Sequence, residues 1–239
     1  FAIGGQGLLI SGAAMSLAAF ELSAPSVYLP HALHAEDRAW VETNCYVDVW
    51  IELLHALRLN PIACMGVAIA NDFDGDQWTF YKPPHEDLFE LYGVDVHELN
   101  VWKGILANAS EQLARGRVVL SEIDSYYLPD TAGTDYRRNH VKTTIAMHSL
   151  DLERQTLRYF HNRSYHELQG EDFVHLFRVG APHDPTFMPF FAEFVRLDRV
   201  QHNTDAELAA ISRASHWRRS LLLKVWRFLK LLKVEKWKL

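Results

Sequence analysis

The run Glu42-Thr43-Asn44-Cys45-Tyr46-Val47-Asp48-Val49-Trp50-Ile51-Glu52-Leu53-Leu54-His55-Ala56-Leu57 spaces its apolar side chains at a helical period, and Asn44 stands where an N-cap belongs. The pattern predicts a helix opening at Cys45 and stopped by Leu59-Asn60-Pro61, with Pro61 starting a second helical segment from Ile62 to Ala70. A polar loop from Asn71 leads to a short strand, Trp78-Thr79-Phe80-Tyr81. Pro84 to Gly93 reads as a helix with an acidic first turn and a glycine stop, Val94 to Val101 as a strand, and Lys103 to Arg115 as a helix ended by Gly116. Arg117 to Tyr127 is strand-like, Leu128 to Tyr136 a loop, His140 to His148 a strand rich in β-branched residues, and Thr156 to Asn162 another strand beyond a polar turn. Connections this short make the three strands an antiparallel meander. The pattern as a whole is α+β: a helical front half carrying Cys45 and a β-rich back half carrying His140 and Asn162.

Composition narrows the class. With 239 residues, 49% hydrophobic and 23% charged, the chain has the make-up of one domain with a sizeable core. A formal net charge of -6 argues against a general nucleic-acid binder, whose affinity rests on neutralising phosphates. Two cysteines make no disulfide framework, and a reducing cytoplasm fits them best. Residues 1–14 are Gly-rich and apolar, lack the basic start of a secretory signal, and precede Met15-Ser16-Leu17; they read as a remnant or an upstream extension. They are too short and too broken by Gly to span a membrane. The domain proper is expected over 15–200. Residues 201–239 are expected to form a C-terminal helical segment whose stretch from Trp217 to Lys233 is basic and amphipathic, suited to packing on its own domain or to docking on a membrane surface or an acidic partner.

The candidate chemistry gathers at Cys45. The first N–H groups of a helix lack internal acceptors and the dipole is positive there, so a thiolate is stabilised. Cys64, inside an apolar stretch, fits a buried structural thiol instead. A nucleophilic thiol needs a base and the base an orienter; His140 opens a strand and Asn162 closes the next at the same edge, in the chain order of a papain-type site. Asp151, the rival orienter, falls at the far end of that hairpin, and His161 should face the other side of its strand. His148 and His166 stand out only by abundance among 13 histidines. The backbone N–H of Cys45 is placed to serve as an oxyanion donor, with the Asn44 side chain or a more distant amide as the second. The run Asn71-Asp72-Phe73-Asp74-Gly75-Asp76-Gln77-Trp78 imitates the front of a calcium loop. Its Gly is misplaced and Pro83 stands where the closing Glu belongs, so no metal site is expected.

These residues carry a resemblance. Asn44-Cys45 at a helix start, Glu122-Ile123-Asp124-Ser125-Tyr126-Tyr127-Leu128-Pro129, His140 opening a strand and Asn162 closing the next resemble the papain-like fold of bacteriocin-processing peptidases. More closely they resemble the butirosin-type acyltransferases, which move an aminoacyl group from an acyl carrier protein to an amine. They are also similar to a bacterial family sharing the Glu-Thr-Asn-Cys-Tyr-Val-Asp and Gln-Trp-Thr-Phe-Tyr-Lys-Pro-Pro patterns. The resemblance covers Trp40 to Arg178. It implies Cys45 as nucleophile, His140 as base, Asn162 as orienter, and Asp124, Tyr127 and Trp78 as substrate contacts. It also implies an acyl group arriving on the 4'-phosphopantetheine arm of a carrier protein and leaving on a small-molecule amine or thiol, with no bound cofactor. Papain-like enzymes usually carry a Gln shortly before the cysteine; Asp37 to Glu42 holds none, which leaves the second oxyanion donor open. A cysteine peptidase or amidase of the same fold, and a non-catalytic binding module, are the competing functions. Arg218, Arg219 and Lys224 offer a docking surface for an acidic carrier.

Overall fold

The long strand β6 (Lys142–Asp151) organises the molecule, since three strands pair with it. In the computed structural model, which describes residues 16–35, 44–65, 73–78, 80–181 and 191–215, it belongs to a seven-stranded sheet in the order β4-β9-β5-β6-β7-β8. These are β4 (Asp95–Glu98), β9 (Ala192–Arg196), β5 (Val118–Asp124), β7 (Thr156–His161) and β8 (Ser164–Gln169). β1 (Ser16–Ala18) pairs with the last residues of β6, continuing the edge along which β5 lies on its first half. Every pairing is antiparallel. A separate two-stranded ribbon joins β2 (Phe73–Asp74) and β3 (Gln77–Trp78). The expected meander is β5-β6-β7, and the α+β class holds.

Alternation along the strands sends side chains to opposite faces, and each face has its own core. Val118 and Leu120 of β5, Ala146 of β6 and Phe160 of β7 meet α1 (Cys45–Ala56) and α3 (His85–Tyr92) through Trp50, Leu53, Leu54, Leu88 and Tyr92. Their neighbours Val119, Ile123, Ile145, Met147 and Tyr159 meet α4 (Ile105–Leu113) and α5 (Glu171–Leu176) on the other side. The result is a helix–sheet–helix sandwich. A four-residue helix α2 (Ile62–Met65) is seen where a longer one was expected; residues 66–70 lie outside the described part.

Local chemistry sets the ends of these elements. Asn44 caps α1, its Oδ1 accepting from the Val47 N–H at 3.1 Å. α3 stops at Gly93, in the left-handed region at φ 68°, where an added Cβ would collide with the Arg199 carbonyl. Asn162 has φ 46° and forms, with Arg163, the two-residue connection of the β7–β8 hairpin. It is thus a turn residue after the strand.

Residues 25–35 run as a strap across α1. Tyr28 donates its hydroxyl to Glu52 Oε2 at 2.7 Å, and the His31 N–H reaches Glu52 Oε1 at 3.1 Å. The buried His34 ring sits between Glu52 (Nδ1–Oε1 2.5 Å) and Asp48 (Nε2–Oδ1 3.3 Å). Downstream, residues 205–215 are helical and packed on the domain: Leu208 is buried and Ser215 donates to Asp87 at 2.6 Å. The basic stretch from Trp217 to Lys233, with its docking residues, lies outside the described part, as do residues 1–14. Among the described residues no helix is long and apolar enough to cross a membrane, and no His, Cys, Asp and Glu cluster is built to hold a metal ion.

Candidate functional site

Where β5 and β6 leave the core, the face toward α1 turns polar in register. Leu120 pairs with Ala146, Glu122 with Thr144, and Asp124 with Lys142. The first turn of α1 lies over this transition, and between them opens a cavity of about 430 Å³ lined by Cys45, Glu122, Lys142, Thr144, Glu193 and Lys82, among others. Cys45 is the first residue of α1 and half-buried. Its N–H points out of the helix start without an intrahelical acceptor, the position the sequence assigns to an oxyanion donor. Asn44 does two other things: its Oδ1 caps α1 and its Nδ2 donates to the Tyr81 carbonyl at 2.8 Å. The amide expected as a second oxyanion donor is therefore engaged in pinning residues 80–82 beside the thiol.

Three of the four charged side chains that line the cavity are paired. Lys142 Nζ reaches Glu122 Oε1 at 2.8 Å. Glu193, buried in β9, accepts from the Tyr46 hydroxyl at 2.7 Å and lies 3.2 Å from His85 Nε2. The hydrogen bond to Glu193 raises the His85 pKa, favouring the imidazolium that balances the carboxylate.

His140 occupies the segment just before β6, and its Nδ1 lies 2.6 Å from Asp124 Oδ2. Its ring stacks on Tyr126 at 4.3 Å and 9°. With Nδ1–H donating to the carboxylate, Nε2 is left to exchange a proton. The orienting position expected of Asn162 is thus filled by Asp124, which the sequence had placed among substrate contacts. No hydrogen bond joins Asn162 to His140, nor Cys45 Sγ to His140, among the described residues. The imidazole does not line the cavity; it stands beside Lys142, which does.

Tyr127, the second expected substrate contact, packs on the opposite core and stacks on His175 at 5.6 Å. Trp78 belongs to β3, opposite Phe73, and its side chain lies outside the described part. His161 faces away, as its neighbour relation to Asn162 predicted: it is buried between Asp130 (2.5 Å) and Thr143 (2.8 Å). His148 is buried against Tyr165 and the Phe20 carbonyl, and burial drives its pKa down to about 4.

Sequence reasoning missed Glu122, Lys142, Thr144 and Glu193. The first three were within reach, because a hairpin register pairs the polar positions that follow Leu120 and precede Ala146 on one face. Lys82 lay inside a quoted motif. Glu193 gave no local signal, its partners Tyr46 and His85 being distant in the chain.

The two thiols differ in a measurable way. Cys64 is fully buried, which pushes its pKa up to about 12, whereas Cys45 faces the cavity. Native protein at pH 8 should take up one equivalent of iodoacetamide, at Cys45 by peptide mapping, and a second only in denaturant. Labelling of Cys64 first would contradict this geometry.

Fold and site together define an α+β domain in which a helix-start cysteine overlooks a charged cavity on an antiparallel sheet. The chain belongs to the DUF1839 family: the DUF1839 N-terminal domain matches residues 29–197, which hold Cys45, Asp124, His140 and Glu193. Neither the curated proteins nor the solved structures contain a match to it.

Proposed function

We propose that the protein is a cysteine-dependent acyltransferase with a papain-like site, taking an acyl group from a carrier-protein phosphopantetheine thioester and passing it to an amine or thiol. The supporting observation is Cys45 at the start of α1, open to a cavity of about 430 Å³ whose sheet face leads to the Asp124–His140 pair. The Cys45 thiolate attacks the thioester carbonyl, and the Cys45 N–H stabilises the oxyanion. The pantetheine thiolate leaves and takes a proton from His140. The acceptor amine then attacks the acyl-Cys45 carbonyl, its proton passes to His140 Nε2, and Cys45 departs as thiolate. Asp124 holds the imidazole through Nδ1 and stabilises its cationic form. Catalytic hydrogen bonds often form only when the substrate binds, and this reading requires His140 to approach the thiol with the donor in place.

Intact-mass measurement after mixing with acylated carrier protein tests this. The expected result is an added acyl mass that is absent from Cys45→Ala and is discharged by amines faster than by water. Peptide cleavage without any acyl adduct, or discharge by water alone, would assign the site to a hydrolase. An adduct that persists in Cys45→Ala would end the proposal.

A further inference from the structure

We propose that the cavity selects an anionic acyl group, a short chain whose far end carries a carboxylate, and that Lys82 receives it. The inference rests on the acyl-transfer reading for the acyl group, and on the cavity alone for the anion. Four charged side chains line the space, and three are accounted for: Glu122 pairs with Lys142, and Glu193 with His85 and the Tyr46 hydroxyl. Lys82 is the remainder. Its Nζ lies 4.6 Å from the Tyr46 ring centroid and 5.0 Å from that of Phe191, and among the described residues it has no carboxylate partner. Such ring contacts hold an ammonium without neutralising it.

The backbone that carries the lysine is held in place, with the side chain itself exposed at the cavity mouth. The carbonyl of its neighbour Tyr81 is held by Asn44, and the Tyr81 hydroxyl donates to the Cys64 carbonyl at 2.7 Å. Two prolines follow, at 83 and 84, which stiffen the backbone. The Tyr46 ring beneath it is anchored in turn by Glu193. A neutral acyl group filling this space would strip water from the ammonium and offer nothing back, whereas a carboxylate would pair with it. A phosphate on the pantetheine arm is the other source of negative charge, but it sits at the opposite end of that arm from the sulfur. With the thioester at Cys45, it falls outside a cavity of this size.

The probes are succinate and its neutral diamide, succinamide, compared by thermal shift at matched ionic strength. Succinate well above its Kd should raise the Tm of the wild type by about 3 °C, succinamide should not, and Lys82→Gln should lose the effect while Lys82→Arg keeps it. Equal stabilisation by succinamide, or an undiminished shift in Lys82→Gln, would overturn the inference. Inorganic phosphate stabilising in place of succinate would move the site to the pantetheine arm and overturn the carboxylate assignment. The two proposals fail separately. Succinate without effect on a protein whose Cys45 accepts a neutral butyryl group removes only the anion site, and succinate binding beside an unreactive Cys45 removes only acyl transfer.

Discussion

Asp124→Asn is expected to slow acylation of Cys45 by about 10²–10⁴-fold, the range by which positioned acid–base groups act. Asn162→Ala should leave the rate within about twofold, because Asn162, half-buried in the β7–β8 turn, does not line the cavity and the side chain that bonds His140 is Asp124. The difference follows from which side chain holds His140. Asp124 Oδ2 is 2.6 Å from Nδ1, and Asp124 belongs to a regular strand paired with Lys142, so the imidazole is fixed by a carboxylate on a rigid element. The asparagine amide carries no charge to stabilise an imidazolium, and its NH₂ can turn toward Nδ1 and force the proton onto Nε2. Single-turnover rates with a thioester donor separate the two: the Asp124 variant should be slow with its melting temperature nearly unchanged. Equal losses in both variants, or a full rate in Asp124→Asn, would remove the Asp124–His140 pair from the chemistry.

The largest effect on stability is expected from Glu52→Ala, at about 3–5 kcal/mol by urea denaturation, because it strands a charge inside the fold. Glu52 is fully buried and binds the His34 ring, the Tyr28 hydroxyl and the His31 N–H, so one carboxylate fastens the strap to α1. Burial opposes charge on His34, but hydrogen bonds to Asp48 and Glu52 and their negative charges outweigh it, and the pKa rises from 6.5 to about 9. The folded state therefore holds this proton more tightly than the unfolded chain. Its contribution is complete below pH 6.5 and disappears as pH climbs through about 9, a loss of about 3 kcal/mol. His85, raised by Glu193, adds to the same trend, so the diagnostic is the comparison of wild type with Glu52→Gln, whose curve should be flatter. Identical pH dependence in the two proteins would show that His34 is not the group responsible.

How far such features can be read from the chain alone depends on where their partners lie. The meander β5-β6-β7 follows from alternation and short connections, and α1 from its period and its cap, all signals within one window. Asn162 was misplaced by one element: with β8 unrecognised, the asparagine looked like the end of a strand, whereas the pairing of His161 with Ser164 makes it a turn. Asp124 stands inside a recognisable motif, but its contact with His140 is decided by the strand register, which no local signal carries. Glu52 and Glu193 interrupt apolar runs, and nothing local says why. The first is satisfied by a strap some twenty residues upstream, the second by groups on α1 and α3. The strap and β9 are invisible to periodicity for the same reason.

The position of β9 has a temporal consequence. It pairs with both β4 and β5, strands made much earlier in synthesis, and brings Glu193 to the wall of the cavity. Until residues 192–196 leave the ribosome, β5 keeps an open edge of unpaired N–H and C=O groups, and Tyr46 and His85 wait for the carboxylate they share. A nascent chain can thus carry Cys45, Asp124 and His140 in full and still have an unfinished pocket, so the thiol gains its surroundings only when β9 slides into the gap.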